Sequence, residues 1–189
     1  MYTETKKEEY AVVLDFLLSG KSFSGKSEPI AQLVGEEFFT LLEAIPKQNV
    51  ILKTGERVYI GKNERDKIAL IKQRIGYNDL TQTAKSELPN IIMQIVKSEE
   101  QRFVNIFNTA GPLNIREHSL SLLPGIGKKH LDTILKQRSE KKFESFKDIL
   151  ERCELVQDPA KMVAERIIKE LQGNERFYLF VKPLIKREQ

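Results

Sequence analysis

The hydrophobic rhythm of the chain changes about a third of the way along. Residues 10–18, Tyr10 through Leu18, are rich in β-branched and aromatic side chains and stop at Ser19-Gly20. Residues 37–44 form a second such run, ended by Pro46. Val50-Ile51-Leu52 and Val58-Tyr59-Ile60 flank Lys53-Thr54-Gly55-Glu56, a glycine-containing connection that reads as a hairpin. Four or five short strands in so few residues suit a small closed barrel of the OB or SH3-like type. After Gly61 the spacing becomes helical: Ile68, Leu70, Ile71 and Ile75 recur at helix intervals. Thr81 or Thr83 can cap a further helix through Ala84, Leu88, Ile91, Ile92, Ile95 and Val96, with Pro89 limiting how it starts. Phe103, Val104, Ile106 and Phe107 continue the pattern to Gly111-Pro112, the strongest internal punctuation.

The last third centres on Leu122-Leu123-Pro124-Gly125-Ile126-Gly127-Lys128-Lys129-His130-Leu131. Residues 115–123 are expected to form one short helix and residues 128–138 another. Pro124 ends the first, because its ring cannot continue the hydrogen-bond ladder. Gly125 and Gly127 permit backbone angles closed to other residues and remove the Cβ atoms that would hold a phosphate away. Ile126 is expected to tuck between the helices, with Leu131 and Ile134 on the buried face of the second. The first N–H groups of that helix then point outward with partial positive charge, an anion site made of backbone with Lys128 and Lys129 at its mouth. Ser145 is the expected N-cap for a following helix with Phe146, Ile149 and Leu150 in the core. A weak echo of the hairpin recurs at Leu155-Val156-Gln157-Asp158-Pro159, without the glycines.

The hairpin resembles the helix-hairpin-helix motif, which holds the nucleic-acid backbone without reading sequence. The whole chain also resembles an archaeal family of about this length. The match is carried by Val58-Tyr59-Ile60-Gly61-Lys62, Glu100-x-Arg102-Phe103-Val104-x-x-Phe107-Asn108, and His118-x-Leu120-x-Leu122-Leu123-Pro124-Gly125-Ile126-Gly127-Lys128-Lys129. That family couples an OB-like barrel to a tandem helix-hairpin-helix region and is described as a candidate RNA- or nucleic-acid-binding family with no assigned activity. The expected architecture is therefore α+β: an OB-like barrel over residues 1–62, a helical connector over 63–111, and a tandem helix-hairpin-helix domain over 112–189 with its second copy degenerate. Pro124, Gly125, Ile126, Gly127, Lys128, Lys129, Arg138, Lys142, Arg116 and His118 are the expected nucleic-acid contacts. Such hairpins can also hold K⁺ or Na⁺ through backbone carbonyls, here those of Leu123 and Gly125.

Composition adds one point. The 31 basic residues exceed the 27 acidic by four. Residues 1–110 hold 15 of each, whereas residues 116–142 hold seven basic and three acidic, a surplus of four. The excess therefore surrounds the hairpin, as a local polyanion-binding face would require. Cys153 is the sole cysteine, and His118 and His130 are the only histidines, so no disulfide, zinc cluster or cofactor is expected. The charged first nine residues and the short apolar runs point to a cytoplasmic protein without membrane contact.

Three rival readings stand beside this one. Gly20-Lys21-Ser22-Phe23-Ser24-Gly25-Lys26-Ser27 satisfies the P-loop pattern letter for letter. Pro29 falls where its helix should begin, however, and a loop between barrel strands explains the same letters. A DNA glycosylase would offer Asp148 as its carboxylate, but the chain lacks the larger helical domain that a flipped-base pocket needs. The third is a protein-interaction scaffold in a ribonucleoprotein or DNA-processing complex. The expected function is non-catalytic binding of nucleic acid, with RNA favoured over DNA by the resemblance alone.

Overall fold

The computed structural model describes residues 7–20 and 28–183. Among them the chain forms five strands and five α-helices: β1 Tyr10–Leu17, β2 Ile30–Gly35, β3 Leu41–Pro46, β4 Arg57–Tyr59, β5 Ile68–Arg74, α1 Gln82–Ser98, α2 Glu100–Thr109, α3 Lys128–Glu140, α4 Phe146–Arg152 and α5 Pro159–Gln172. This is a mixed α+β protein. The chain packs as two compact units, one of residues up to 91 together with those from 170 onward, the other of residues 92–169.

In the first unit the strands make one curled antiparallel sheet in the order β4-β1-β2-β3-β5. Ala11, Val13, Ala31, Leu33, Leu42 and Ala44 alternate along three strands and meet Leu52, Val58, Ile60 and Ile68 in one core. The opposite face is also buried, and two polar side chains lie in it. Gln32 and Glu43 are 0% and 2% exposed, and both are fully engaged. Gln32 donates to Glu43 and to the Asp79 carbonyl and accepts from the Thr81 N–H; Gln73 donates to Glu43. The Thr81 hydroxyl donates to Asp15 at 2.6 Å and accepts from the Ala84 N–H at 3.0 Å. Thr81 is thus the N-cap of α1, and the buried Gln32 amide together with Asp15 fixes where that helix begins.

Four expectations are corrected. Residues 68–74 form strand β5, not a helix. Ile68, Leu70 and Ile71 satisfy either period over so short a run, and pairing with β3 completes the sheet. Val50-Ile51-Leu52 makes no hairpin with Val58-Tyr59-Ile60: β4 pairs with β1, and only the turn at Gly55 is as read. Pro89 lies inside α1 instead of limiting its start. The helix over residues 115–123 shrinks to one 3₁₀ turn at Ser119–Leu122, because the Asn114 side chain accepts from the Arg116 and Glu117 N–H groups and diverts the backbone into a turn.

Two buried carboxylates organise loops of the first unit. Glu8 accepts from the N–H groups of Glu37, Phe38 and Thr40 at 2.8–3.0 Å. A Cβ on Gly35 would lie 2.0 Å from the Glu8 carboxyl carbon, so any larger residue there would displace that carboxylate from its three donors. Glu170 accepts from Leu179, Phe180 and Val181 at 2.8–3.0 Å. The Lys182 N–H then donates to the Phe38 carbonyl, and Arg74 donates to the Lys182 carbonyl. Residues 179–182 are so held without strand pairing. Lys21 to Ser27 of the P-loop look-alike lie outside the described residues. The next element along the chain is β2, antiparallel to β1, where a P-loop requires a helix.

Candidate functional site

The hairpin lies in the second unit. The 3₁₀ turn ends at Leu122, Gly125 takes the left-handed backbone expected of it (φ +85°), and α3 begins at Lys128. A Cβ on Gly125 would also come 3.3 Å from the Met162 methyl of α5, so both backbone angle and space favour glycine. Ile126 is 5% exposed and Ile134 0%, and they anchor the hairpin in the core as read. Beneath it Arg166 of α5, 2% exposed, donates to the Leu122 carbonyl at 3.5 Å. The sequence carries no signal for that support, because an arginine amid Lys and Glu reads as solvated surface.

Gly127 is the N-cap of α3, in extended backbone that any residue can adopt (φ −85°, ψ −179°). It supplies no side-chain acceptor to the first turn, and a Cβ on it would meet nothing within 4 Å. The first bond of the helix runs from the Leu131 N–H to the Gly127 carbonyl. The N–H groups ahead of it belong to the exposed Lys128 and Lys129 and the half-buried His130, and Gly127 offers them no capping side chain. Uncapped donors, the positive end of a 13-residue helix and two ammonium groups therefore share one glycine-cleared surface.

The other expected contacts divide. Arg116 and Lys142 are exposed. Arg138 is not available as expected: its guanidinium donates to the Phe107 and Ala110 carbonyls at 3.0 and 2.8 Å, satisfying the end of α2. His118 is likewise committed. Its Nδ1 accepts from the Leu120 N–H at 3.1 Å, capping the 3₁₀ turn. The carbonyls considered for a monovalent cation are engaged, that of Leu123 by the Ile126 N–H and that of Gly125 by His130 Nδ1 at 2.9 Å. Asp148 belongs to α4, where Ser145 accepts its N–H at 3.0 Å as the N-cap and Arg152 pairs with its carboxylate. Cys153 is buried and its thiol is pushed up to about 11, chiefly by burial, so it is protonated and inert at neutral pH.

Burial, then the nearby Arg138 charge, lowers the pKa of His118, against a hydrogen bond with the Ala110 backbone that raises it. The folded state therefore takes up the proton less readily than the unfolded state. Stability is full above the unfolded value of about 6.5 and falls as pH drops through it. His118→Asn keeps a capping oxygen and removes the titration. Denaturant midpoints measured from pH 8 to pH 5 should decline for the wild type and decline less for this variant.

Among the described residues no group of three or more His, Cys, Asp or Glu is placed to hold a metal ion, and no helix is long and apolar enough to cross a membrane. The chain is 49% identical over 179 residues to an uncharacterised protein of Methanocaldococcus jannaschii, covering 94% of this chain and 81% of that one. It is similar to the crystal structure of Af1531 from Archaeoglobus fulgidus, with a TM-score of 0.85 at 42% identity, over 93% of this chain and 100% of that one. Residues 7–182, nearly the whole chain, match one family, and the chain belongs to it: the family described as a protein of unknown function, DUF655.

Proposed function

We propose that the hairpin from Pro124 to Lys129 grips the phosphodiester backbone of a nucleic acid, RNA in preference to DNA, and that the protein binds without catalysing a reaction. The observation that carries this is the uncapped start of α3, cleared by Gly127 and flanked by Lys128 and Lys129. A backbone phosphate matches it in charge and in acceptor number, and no base edge is needed. The turn resembles a helix-hairpin-helix element, and the curled sheet resembles part of an OB-type barrel, a fold that often carries nucleic acid. The preference for RNA rests on the family resemblance alone. A second reading, a protein-interaction scaffold, is favoured by the full exposure of two apolar side chains, Ile115 and Val156.

Filter binding against salt separates the two. Each phosphate contact contributes a slope of about −0.9 in log K against log salt for duplex DNA and about −0.7 for single strands. The double variant Lys128→Ala, Lys129→Ala is expected to bind more weakly and to flatten the slope by about 1.4 on single strands, the loss of two contacts. Unchanged affinity and slope would reject the hairpin and leave the scaffold.

A further inference from the structure

Where the sheet of the first unit ends at β4, three side chains stack on the face opposite its core. Ala11 and Val58 point into that core, so their neighbours Tyr10, Arg57 and Tyr59 lie on the other side. Tyr10 and Tyr59 are direct cross-strand partners, their rings edge-to-face at 5.2 Å. Arg57 lays its guanidinium over the Tyr10 ring at 3.6 Å. Glu36 grips one edge of that guanidinium, accepting from Nε and Nη2 at 2.8–3.1 Å. The foot of the stack is fixed too. The Tyr59 hydroxyl accepts from the Asn63 N–H, and a Cβ on Gly61 would overlap the Tyr59 ring.

The Arg57 side chain nevertheless stays 55% exposed. Tyr10 covers one face of the plane and Glu36 one edge, so the open part is the second face. A guanidinium is weakly hydrated, and this one has its rotamer fixed before any ligand arrives, so covering that face costs little. A phosphate would need the donor edge, which Glu36 occupies; a flat aromatic ring needs only the face. The exposed Lys53, in the turn before β4, and the exposed Lys62, just after it, suit rings that are joined by phosphates. We infer that Arg57, backed by Tyr10 and Tyr59, is a stacking platform for an unpaired nucleobase. This rests on the reading that the protein binds nucleic acid and narrows its ligand to a single strand, because paired bases keep their faces stacked within the helix.

The test compares a mixed-sequence single-stranded RNA with a ribose-phosphate strand of the same length that carries no bases, at one salt concentration. The wild type is expected to bind the RNA about fivefold more tightly or better, the effect of one stacked base. Arg57→Lys keeps the charge and a donor for Glu36 but loses the plane. It is expected to lose about fivefold on the RNA and nothing on the base-free strand. Equal binding of the two strands by the wild type, or equal losses on both in the variant, would overturn the platform. On the wild-type protein, RNA containing 4-thiouridine should photocrosslink within residues 53–62, and crosslinks confined to other residues would overturn it whatever the variant's stability. Lys128→Ala, Lys129→Ala should instead weaken both strands alike; if it weakens neither, the hairpin reading fails and the platform is judged on its own two measurements.

Discussion

Glu170→Ala is expected to destabilise the protein by about 3 kcal/mol and to release residues 179–181 from their docked position. The carboxylate is 2% exposed and accepts three consecutive backbone N–H groups. A hydrogen bond to a charged acceptor contributes about 1.5–3 kcal/mol, but the three share one ion and do not add in full. With the carboxylate gone, the segment either leaves three donors dry or lifts into water. Lifting also exposes Phe180 and Val181, now 7% and 8% accessible. Amide hydrogen exchange at residues 179–181 should accelerate well beyond that of β2 and β3, and the denaturant midpoint should fall. Exchange and midpoint like those of the wild type would show that the apolar contacts hold the segment without Glu170.

That carboxylate also shows what sequence patterning misses. Glu170 and Glu8 sit among other charged residues and read as solvent-facing, yet each is the acceptor around which a loop is wound. Arg138 was legible as a cation near the hairpin but not as a cap of α2, because its acceptors lie 28 and 31 residues earlier in the chain. Strand β5 was misread for a related reason. Its apolar spacing fits both periods, and the deciding partner, β3, is remote in sequence. The hairpin was legible because its geometry is written locally. Gly125 has the positive φ its type permits, Ile126 is buried, and Ser145 and Thr81 cap the helices they precede.

Gly127→Asp tests whether the open start of α3 receives a phosphate, with fold and function pulling in opposite directions. The backbone there is extended and the space for a Cβ is empty, so aspartate fits without strain. Aspartate is among the best N-caps, whereas glycine is within a few tenths of a kcal/mol of them. The variant should therefore unfold at the wild-type denaturant concentration or slightly above it. Its carboxylate would accept the same N–H groups and set a negative charge where the phosphate belongs. Losing a charge-assisted hydrogen bond of about 1.5–3 kcal/mol weakens binding by about 10- to 150-fold. The deciding measurement is the affinity of Gly127→Asp for a single-stranded RNA, with its unfolding midpoint recorded on the same sample. Binding at least about tenfold weaker with stability kept is expected; wild-type affinity in a folded variant would show that no phosphate is held at the start of α3.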